Sequence, residues 1–506
     1  MTANALIVRK PTFIQRIRSA WAQFVNSAPK LAKRFKAAKI SRLTADWLTR
    51  SNSANRKLRE DLAALRSRAR IMADDDSRFK RFLRMARRNT VGPKGIQLQC
   101  RARNSKGALN RRLNKMVEEA FWKWSFPESC TVSGKLDWRA AQRLFVTQLI
   151  RDGEVLVRHR RTRPTADNPA GYSIQFIDAA YLDETYNQTG RDGNRIIMSV
   201  EIDDSDRPVA YWLTTPADNL LNVKGQARNR TRVPAEEIIH AFLVEDDEAQ
   251  VRGVTWFAAV MNDARQFGGY MESVIVSSRV ATMQMGFLKK DSPDVTEFDG
   301  IEDDEGNEQA VEIDIAPVTF NELPEGYSLQ QFDPKQPNQN HAEFAKSIKQ
   351  DIAAGLDVNY FSLAGDMESV NYSSARVGLN EERDLWQELQ DFVGTFFCRP
   401  VFHAWLKEAN LNGVLSLTPA QMDEVRNPIW RGRGWRYVDP QKEIAAQTEG
   451  LATGVLTLTD VLAERGVDIV DHFETLQSEQ QLAADYGLTL DYTAGKGQAQ
   501  PAPPPA

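Results

Sequence analysis

Four lysines form two pairs whose spacing suits contact with an anion. Lys346 and Lys349 stand three residues apart in a helix-forming segment, so both ammonium groups would lie on one helix face. Lys289 and Lys290 are adjacent and are predicted to end the preceding long helix. We expect some of the four to face phosphate groups. The equally weighted alternative is that they face solvent or pair with acidic neighbours.

A short polar run follows further along the chain. Asn371-Tyr372-Ser373-Ser374, and then Arg376, combine small hydrogen-bonding groups, one aromatic ring and one guanidinium. Such groups can contact a sugar–phosphate backbone without reading the bases. Ser373 or Ser374 also suits the cap of a helix that begins near residue 375, so a purely structural role stays open.

Side chains suited to catalysis or metal binding form no recognised motif. The sequence lacks a phosphate-binding P-loop, a His-Glu-x-x-His helix and a Gly-x-Ser-x-Gly turn. The five histidines are scattered, and the acidic run 302–305 lacks the order of a calcium loop. The three cysteines include no Cys-x-x-Cys pair and make no disulfide framework. We therefore expect no cofactor and none of the common catalytic activities.

The net charge of −3 conceals a basic beginning and an acidic remainder. Residues 1–112 contain 29 Lys and Arg against 6 Asp and Glu, whereas the rest of the chain contains 36 against 62. Within 1–50, apolar residues from Phe13 to Phe24 recur at helical spacing, which predicts a basic amphipathic arm. One interpretation is an anionic partner, whether nucleic acid, acidic protein or membrane. The other is a solvated basic face.

Length and composition indicate a folded protein of several parts. A chain of 506 residues predicts two to four packed units, and 42% hydrophobic and 26% charged residues are ordinary values. No stretch approaches the roughly 20 apolar residues of a membrane helix, so no membrane span is expected. Arg16 and Arg18 interrupt the stretch from Phe13 to Val25, so we expect no signal peptide.

The first half of the chain alternates between helical and strand patterns. Residues 55–88 are helical and basic, residues 95–103 alternate as a strand, and 108–152 are helical, with Phe121, Trp122 and Trp124 as expected core. Short strands follow, which predicts a β-rich or α+β unit. The expected strands are 154–158, 172–177, 196–202, 209–214 and 238–242.

The second half is mostly helical. A long helix is predicted over 254–285 and a second over 340–356, separated by an acidic, Pro- and Gly-punctuated insert with strands near 311–315 and 327–332. After an irregular segment, a third helix is predicted over 375–410, kinked at Pro400. Further helices are expected over 440–486. The Pro- and Ala-rich end, from residue 491, should be disordered.

Several strings in fixed order carry a family resemblance. They are Asn89-Thr90-Val91-Gly92, Gly153-Glu154-Val155-Leu156-Val157-Arg158, Arg207-Pro208-Val209-Ala210-Tyr211-Trp212-Leu213, Val233-Pro234-Ala235-Glu236-Glu237-Ile238-Ile239-His240, and the segment from Asp357 to Glu382. Each string is weak by itself, but their joint order resembles the lambda-like phage portal proteins over roughly residues 15–490.

The resemblance implies an α+β portal fold that forms a ring. It implies a wing of mixed α/β structure, a two-helix stem, a small α/β clip, a long kinked wing helix and a helical crown. The implied divisions are a basic arm 1–50, wing 51–253, first stem helix 254–285, clip 286–338, second stem helix 339–356, tunnel loop 357–375, long wing helix and return 376–439, crown 440–490 and disordered tail 491–506.

The function that the resemblance implies is a channel for double-stranded DNA. The ring of roughly twelve copies would sit at one capsid vertex of the virion, be assembled in the host cytoplasm, and perform no catalysis. Its expected partners are sequence-independent DNA, the terminase large subunit, the major capsid and scaffold proteins, and head–tail connector proteins. The nine candidate channel residues would be Asn371, Tyr372, Ser373, Ser374, Arg376, Lys346, Lys349, Lys289 and Lys290.

Two other classes of function remain open at this point. The basic amphipathic arm would also suit a protein that lies on a membrane surface. A nucleic-acid enzyme with an unfamiliar active site would share the charge asymmetry. Neither alternative accounts for the order of helix, insert, helix, loop and long helix.

Overall fold

The computed structural model describes most of the chain between residues 53 and 488. The described ranges are 53–104, 107, 109–190, 193–214, 230–245, 247–282, 286–290, 327–331, 341–368, 371–435, 440–465 and 467–488. The chain divides into a unit of residues 1–53 and a unit of residues 54–506. The predicted basic arm, the strand near 311–315 and the predicted disordered tail lie outside the described residues.

Two basic helices open the larger unit and still bury an apolar stripe. They are α1, Ala54–Asp75, and α2, Ser77–Thr90. Asp76 separates them and caps α2 by accepting a hydrogen bond from the Arg78 N–H at 2.9 Å. Phe79 and Phe82, three residues apart on α2, are both fully buried. Apart from the buried Arg66, the cations therefore lie mostly on the outer faces of these helices, whose inner faces belong to the core.

The next helices frame an aromatic cluster. After β1, Gln97–Gln99, come α3, Arg111–Trp124, α4, Pro127–Cys130, and α5, Trp138–Asp152. Phe121 and Trp124 are buried as predicted, with ring centroids 5.1 Å apart. The prediction for Trp122 is wrong, since 52% of that residue is exposed. Residues 121 and 124 share a helix face, whereas 122 is rotated by about 100° from 121.

Residues 154–242 contain two antiparallel sheets, and most of their strands lie where the sequence predicts them. Strands β2, Glu154–Arg161, β3, Tyr172–Ile177, and β9, Ile238–Phe242, form one sheet in the order β3-β2-β9. The other sheet has the order β4-β5-β6-β7-β8. Its strands are β4, Gln188–Thr189, β5, Arg195–Ile197, β6, Val200–Ile202, β7, Pro208–Thr214, and β8, Arg230–Pro234.

One predicted strand is two strands. The run 196–202 alternates throughout, but Met198 and Ser199 have φ of 47° and 69° and turn the chain back on itself. This left-handed pair of residues is the backbone form of the tightest hairpins, although neither residue type usually favours it. Met198 is fully buried, and the Ser199 hydroxyl donates to the Asp183 carbonyl at 2.9 Å, so tertiary contacts hold the turn.

A buried ion cluster ties this β region to the helices. Glu154 on β2 is fully buried and accepts from the Arg252 Nη2 at 2.5 Å and Nε at 2.7 Å. The His240 Nε2 lies 3.0 Å from the same carboxylate, and the Arg66 Nη1 of α1 lies 3.4 Å away. Burial alone would raise the pKa of Glu154, but the Arg252 guanidinium outweighs it and holds that pKa well below its usual range.

The first predicted long helix is shorter than expected. A 3-10 turn, Trp256–Ala259, precedes α6, Met261–Thr282, and the chain then becomes β10, Gly286–Lys290. β10 pairs antiparallel with β11, Tyr327–Gln331. Lys289 and Lys290 therefore lie in a strand, opposite Ser328 and Tyr327, and the prediction that they end a helix is wrong. Backbone pairing with a distant strand is a tertiary contact that local periodicity cannot report.

The remaining helices follow the predicted order with corrected boundaries. α7, His341–Gly355, is followed by the short α8, Tyr360–Ala364, inside the segment expected to be irregular. The long helix begins at Tyr372 as α9, Tyr372–Val393, passes through a π-helical turn, Gly394–Cys398, and continues as α10, Arg399–Leu411. The break thus precedes Pro400, which is the second residue of α10.

The C-terminal part is helical and returns to the beginning of the fold. It comprises α11, Pro419–Val425, β12, Ile429–Arg431, α12, Pro440–Thr453, α13, Leu458–Glu464, and α14, Ile469–Asp485. β12 pairs antiparallel with β1, joining residues about 330 positions apart. The described chain is thus an α+β structure, and its main core runs from α1 to α11. Cys100, Cys130 and Cys398 are free and buried in that core.

Candidate nucleic-acid interface

The polar run at 371–374 forms the beginning of α9. The Asn371 Oδ1 accepts a hydrogen bond from the Ser374 N–H at 2.8 Å, and the Asn371 carbonyl accepts from the Ala375 N–H at 3.0 Å. Asn371 is therefore the N-cap, and the prediction that Ser373 or Ser374 caps the helix is wrong. The helix begins three residues earlier than expected because the Asn side chain captures the free N–H groups there.

Capping by Asn371 leaves the two serines exposed on the first turn. Tyr372 lies in this turn as well. Arg376 is one turn further, and its Nη2 lies 3.9 Å from the Glu443 Oε1 on α12, a loose ion pair between partly exposed groups. A helix N-terminus with exposed hydroxyls is compatible with a passing phosphate because the helix dipole is positive at this end.

The two lysines of α7 do share one helix face, as their spacing predicts. The Lys346 Nζ lies 5.8 Å from the centre of the Tyr360 ring on α8, and the Lys349 Nζ lies 6.0 Å from the centre of the Phe267 ring on α6. Both lysines are half-buried. An ammonium over an aromatic face keeps its charge while its stem is immobilised.

Asp366 connects these lysines to the predicted tunnel loop. Its carboxylate accepts from the Tyr360 hydroxyl at 2.9 Å and from the Glu368 N–H at 3.1 Å. The Glu368 N–H and the Tyr360 hydroxyl, with a smaller contribution from Lys346 and Lys349, lower the pKa of Asp366. The structure therefore brings α7 and the segment after α8 together, while Lys289 and Lys290 belong to the separate β10–β11 hairpin.

A large cavity beside this region contains cations that the sequence reasoning missed. Its volume is about 1440 Å³, and it is lined by α1, α2, α6, Lys349 and the end of α8. The Arg78 guanidinium lies 4.9 Å from the Phe267 ring, and the Arg81 Nε donates to the Ser362 carbonyl at 3.0 Å. The dense basic residues of 55–88 were the available signal, but only the tertiary fold shows which of them reach the segment after α7.

The described residues contain neither of two features that would suggest other functions. No group of three or more His, Cys, Asp and Glu side chains within them could hold a metal ion. Across those same ranges, no helix is both long enough and apolar enough to cross a membrane.

Comparison with known proteins defines the class as phage portal proteins. The model of the phage portal protein, lambda family, matches residues 41–390. A probable portal protein of Halomonas phage phiHAP-1 is 33% identical over 476 residues, 93% of this chain and 90% of the relative. Portal protein B of Escherichia phage lambda is 25% identical over 316 residues, 57% of this chain and 58% of that protein. The chain belongs to the lambda family of phage portal proteins.

Two solved structures also show a weak likeness to this chain. The neck of a native gene transfer agent particle, computed with C12 symmetry, aligns with 80% of this chain and 93% of the matched chain, at 10% identity and a TM-score of 0.38. The neck of an empty particle, computed with C6 symmetry, gives the same coverage at a TM-score of 0.41. The family membership rests on the sequence matches and does not favour the membrane-surface or enzyme alternatives.

Proposed function

We propose that this chain forms a closed ring of roughly twelve copies at one capsid vertex, and that double-stranded DNA enters and leaves the capsid through it. The observation that carries the proposal is the portal family match over residues 41–390. The chain is a structural component of the virion, and we propose that it performs no catalysis. The work of packaging would come from a separate terminase motor.

The arrangement of α6, the β10–β11 hairpin and α7 supports the division into stem and clip. The Tyr270 hydroxyl of α6 lies 3.0 Å from the His341 Nδ1 of α7, and the Tyr270 and Phe344 rings meet edge to face at 5.1 Å. The beginning of α7, where the chain returns from the insert, thus packs against the middle of α6. We assign 254–285 and 339–356 to the stem and 286–338 to the clip.

The other divisions follow the order of elements. We propose a wing over 51–253, a tunnel loop over 357–375, a long wing helix and return over 376–439, and a crown over 440–490. The clip would dock the terminase large subunit and later the head–tail connector proteins, and the outer surface would meet the capsid and scaffold proteins. We propose these partners from the family, because a portal binds the packaging motor first and the tail components afterwards.

A portal must let DNA slide, so its wall should touch phosphates without gripping them. Many close Lys and Arg contacts would give strong, salt-dependent binding. We propose that Lys346, Lys349, Asn371, Tyr372, Ser373, Ser374 and Arg376, together with Lys289 and Lys290 of the hairpin, contribute scattered contacts to the channel. Lys346 and Lys349 suit this role because an aromatic ring lies about 6 Å from each ammonium group and restricts its position.

Negative-stain imaging of the purified chain tests the ring, and packaging tests the channel. We expect rings with a central hole; compact monomers would contradict the proposal. Lys346→Glu/Lys349→Glu should still form rings but package less DNA. The matched control is Lys80→Glu/Lys407→Glu, which makes the same charge change at two exposed lysines. If both variants package DNA as the wild type does, the two lysines are not channel contacts.

Deletion of residues 362–372 tests the proposed tunnel loop. Rings should form, but packaged DNA should be retained poorly, measured as the DNA content of purified heads. If the deletion prevents ring formation, the segment is a structural element and the proposed loop function is wrong.

A further inference from the structure

A groove beside the end of α2 is lined by cations from six separate parts of the chain. Its volume is about 890 Å³, and eight of its lining side chains are Arg or Lys. No Asp or Glu lines it within the described ranges. Arg84, Arg87 and Arg88 come from α2, Arg143 from α5, and Arg433 from the segment after β12. We call these five side chains the basic groove.

The hydrogen bonds of the basic groove involve neutral groups. The Arg143 Nη2 donates to the Gly92 carbonyl at 3.0 Å, and the Arg433 Nη1 donates to the Arg88 carbonyl at 2.8 Å. The Arg87 Nε donates to the carbonyl of Leu83 at 3.3 Å. In the part of the chain that the structure describes, none of the five guanidinium groups pairs with a carboxylate. The folded chain therefore positions five cations without neutralising them.

This concentration of like charge is unfavourable in the isolated chain. Burial, and then the neighbouring charges of Arg84 and Arg143, lower the pKa of Arg87. Burial and the charges of Arg88 and Arg383 lower the pKa of Arg433 in the same way. An anion in the groove would relieve the repulsion.

An equally unneutralised acidic stripe lies on α9. Glu381, Asp384, Glu388 and Asp391 are spaced by three, four and three residues, and all four are exposed. Like charges at this spacing repel one another on a helix. Among the described residues, none of the four forms an ion pair or a side-chain hydrogen bond. We call these four side chains the acidic stripe.

The two surfaces face different ways on the same subunit. Arg383 lines the groove and precedes Asp384 on α9, so it is rotated from that carboxylate by about 100°. The stripe spans ten residues, or about 15 Å of helix. A ring that closes by rotation joins two different faces of the same chain at every interface. Opposite charges on these two faces would make them electrostatically complementary at such an interface.

We propose that the acidic stripe of one subunit docks on the basic groove of the next subunit in the ring. This inference rests on the proposed ring and specifies its interface. A second copy of the chain fits the groove better than DNA does, because the chain itself carries the matching unpaired charges on a separate face. Each interface would then neutralise both clusters, and the pairing would fix the rotation between neighbours.

Charge exchange tests the pairing. Arg84→Glu/Arg88→Glu reverses two exposed groove residues, and Asp384→Lys/Glu388→Lys reverses two stripe residues. Each double variant should raise the concentration for half-assembly of rings by roughly tenfold or more, measured by mass photometry and negative stain. The chain that carries all four changes should assemble close to the wild-type concentration, since complementarity is restored. High salt should weaken wild-type rings.

Controls separate folding, ring formation and DNA binding. Circular dichroism and thermal melting should show each variant folded, and Arg56→Glu/Arg59→Glu, at exposed positions of α1, should assemble as the wild type does. Rescue by the four-residue exchange would establish the pairing even if one double variant folds poorly. If the combined chain assembles no better than the double variants, or if the double variants form normal rings, the inference is wrong and the ring stands.

DNA is the alternative ligand of the basic groove, in place of a second copy of the chain. If reversal of Arg84 and Arg88 leaves ring assembly unchanged but abolishes retention of a DNA duplex in a filter-binding assay, the groove binds DNA and the proposed interface is wrong. Monomeric wild-type protein would overturn both the ring and this interface.

Discussion

The buried ion cluster around Glu154 and the basic groove use the same residue type under opposite conditions. Arg252 is fully buried, and its guanidinium contacts the Glu154 carboxylate and the carbonyls of Met198 and Leu182. The groove arginines are partly or fully exposed and have neutral partners only, within the described chain. The first arrangement pairs the buried charges within the chain, whereas the second leaves five guanidinium groups without a carboxylate partner among the described residues.

This difference separates stability from assembly. A buried charge is tolerated only when its partner is present in the same fold, so the Glu154 cluster should determine whether the subunit folds. An exposed, unneutralised cluster costs the subunit little because water and salt screen it, so it is available for binding. The following changes should therefore alter the free energy of unfolding by different amounts, and the change in the groove should have the opposite sign.

Replacement of Arg252 by Met should have the largest effect. It leaves the Glu154 carboxylate buried with a weaker set of partners, so the free energy of unfolding should fall by about 3–5 kcal/mol. Urea denaturation followed by circular dichroism measures this loss. Arg160→Met on the same strand, β2, is the matched control, because Arg160 has no ion pair among the described residues; it should change stability by less than about 0.5 kcal/mol. Equal effects would contradict the comparison.

Acidification should cause the second-largest loss of stability, through the buried side chain of His159. Burial, and then the charge of Arg161, lower the pKa of His159 from 6.5 to about 4, and its Nδ1 lies 2.7 Å from the Tyr172 hydroxyl. The unfolded chain therefore takes up this proton first, so the stabilisation is complete above about pH 6.5 and is lost as the pH falls towards 4. The expected loss is about 3 kcal/mol.

His159→Gln isolates this contribution. The variant should show a flatter dependence of unfolding free energy on pH between 6.5 and 4, whatever its stability at neutral pH. His472→Gln, on α14 outside the sheets, should keep the wild-type slope. A slope that is unchanged by His159→Gln would mean that the buried imidazole does not control acid stability.

Neutralisation of one groove arginine should change the free energy of unfolding least, and this change should be a gain rather than a loss. Arg88→Gln removes a like charge near Arg433, so the unfolding free energy of the isolated subunit should rise by about 0.2–0.5 kcal/mol in low salt. The gain should disappear in high salt because exposed charges are screened. A loss comparable to that of Arg252→Met would show that the groove is internally neutralised after all.

Much of the fold was predictable because local patterns decide it. The strands Tyr172–Ile177 and Ile238–Phe242 have the predicted bounds, since alternation of side chains is a property of neighbouring residues. The helices at 261–282 and 341–355 follow from apolar spacing in the same way. The family resemblance, too, was carried by strings of consecutive residues and is confirmed by the match over 41–390.

The errors occur where distant residues compete with local preference. Lys289 and Lys290 pair with a strand about 40 residues later, so they leave the helix. α9 begins at Tyr372, three residues before the expected start, because the Asn371 carboxamide rather than a serine hydroxyl caps the helix. The π-helical turn before Pro400 rests on backbone contacts that a proline rule does not specify.

The sequence by itself determined the class of fold, the order of helices and strands, and the basic beginning of an acidic chain. Only the tertiary structure decided which charges are neutralised. Glu154 meets Arg66 and Arg252 across 88 and 98 residues, and Arg433 approaches Arg88 across 345. Charge balance at a site depends on which remote segments fold together, and a count of Lys, Arg, Asp and Glu along the chain cannot contain that information. The sequence shows these lysine and arginine residues as one basic region. In the folded chain they lie in three different places: the core, the cavity and the groove.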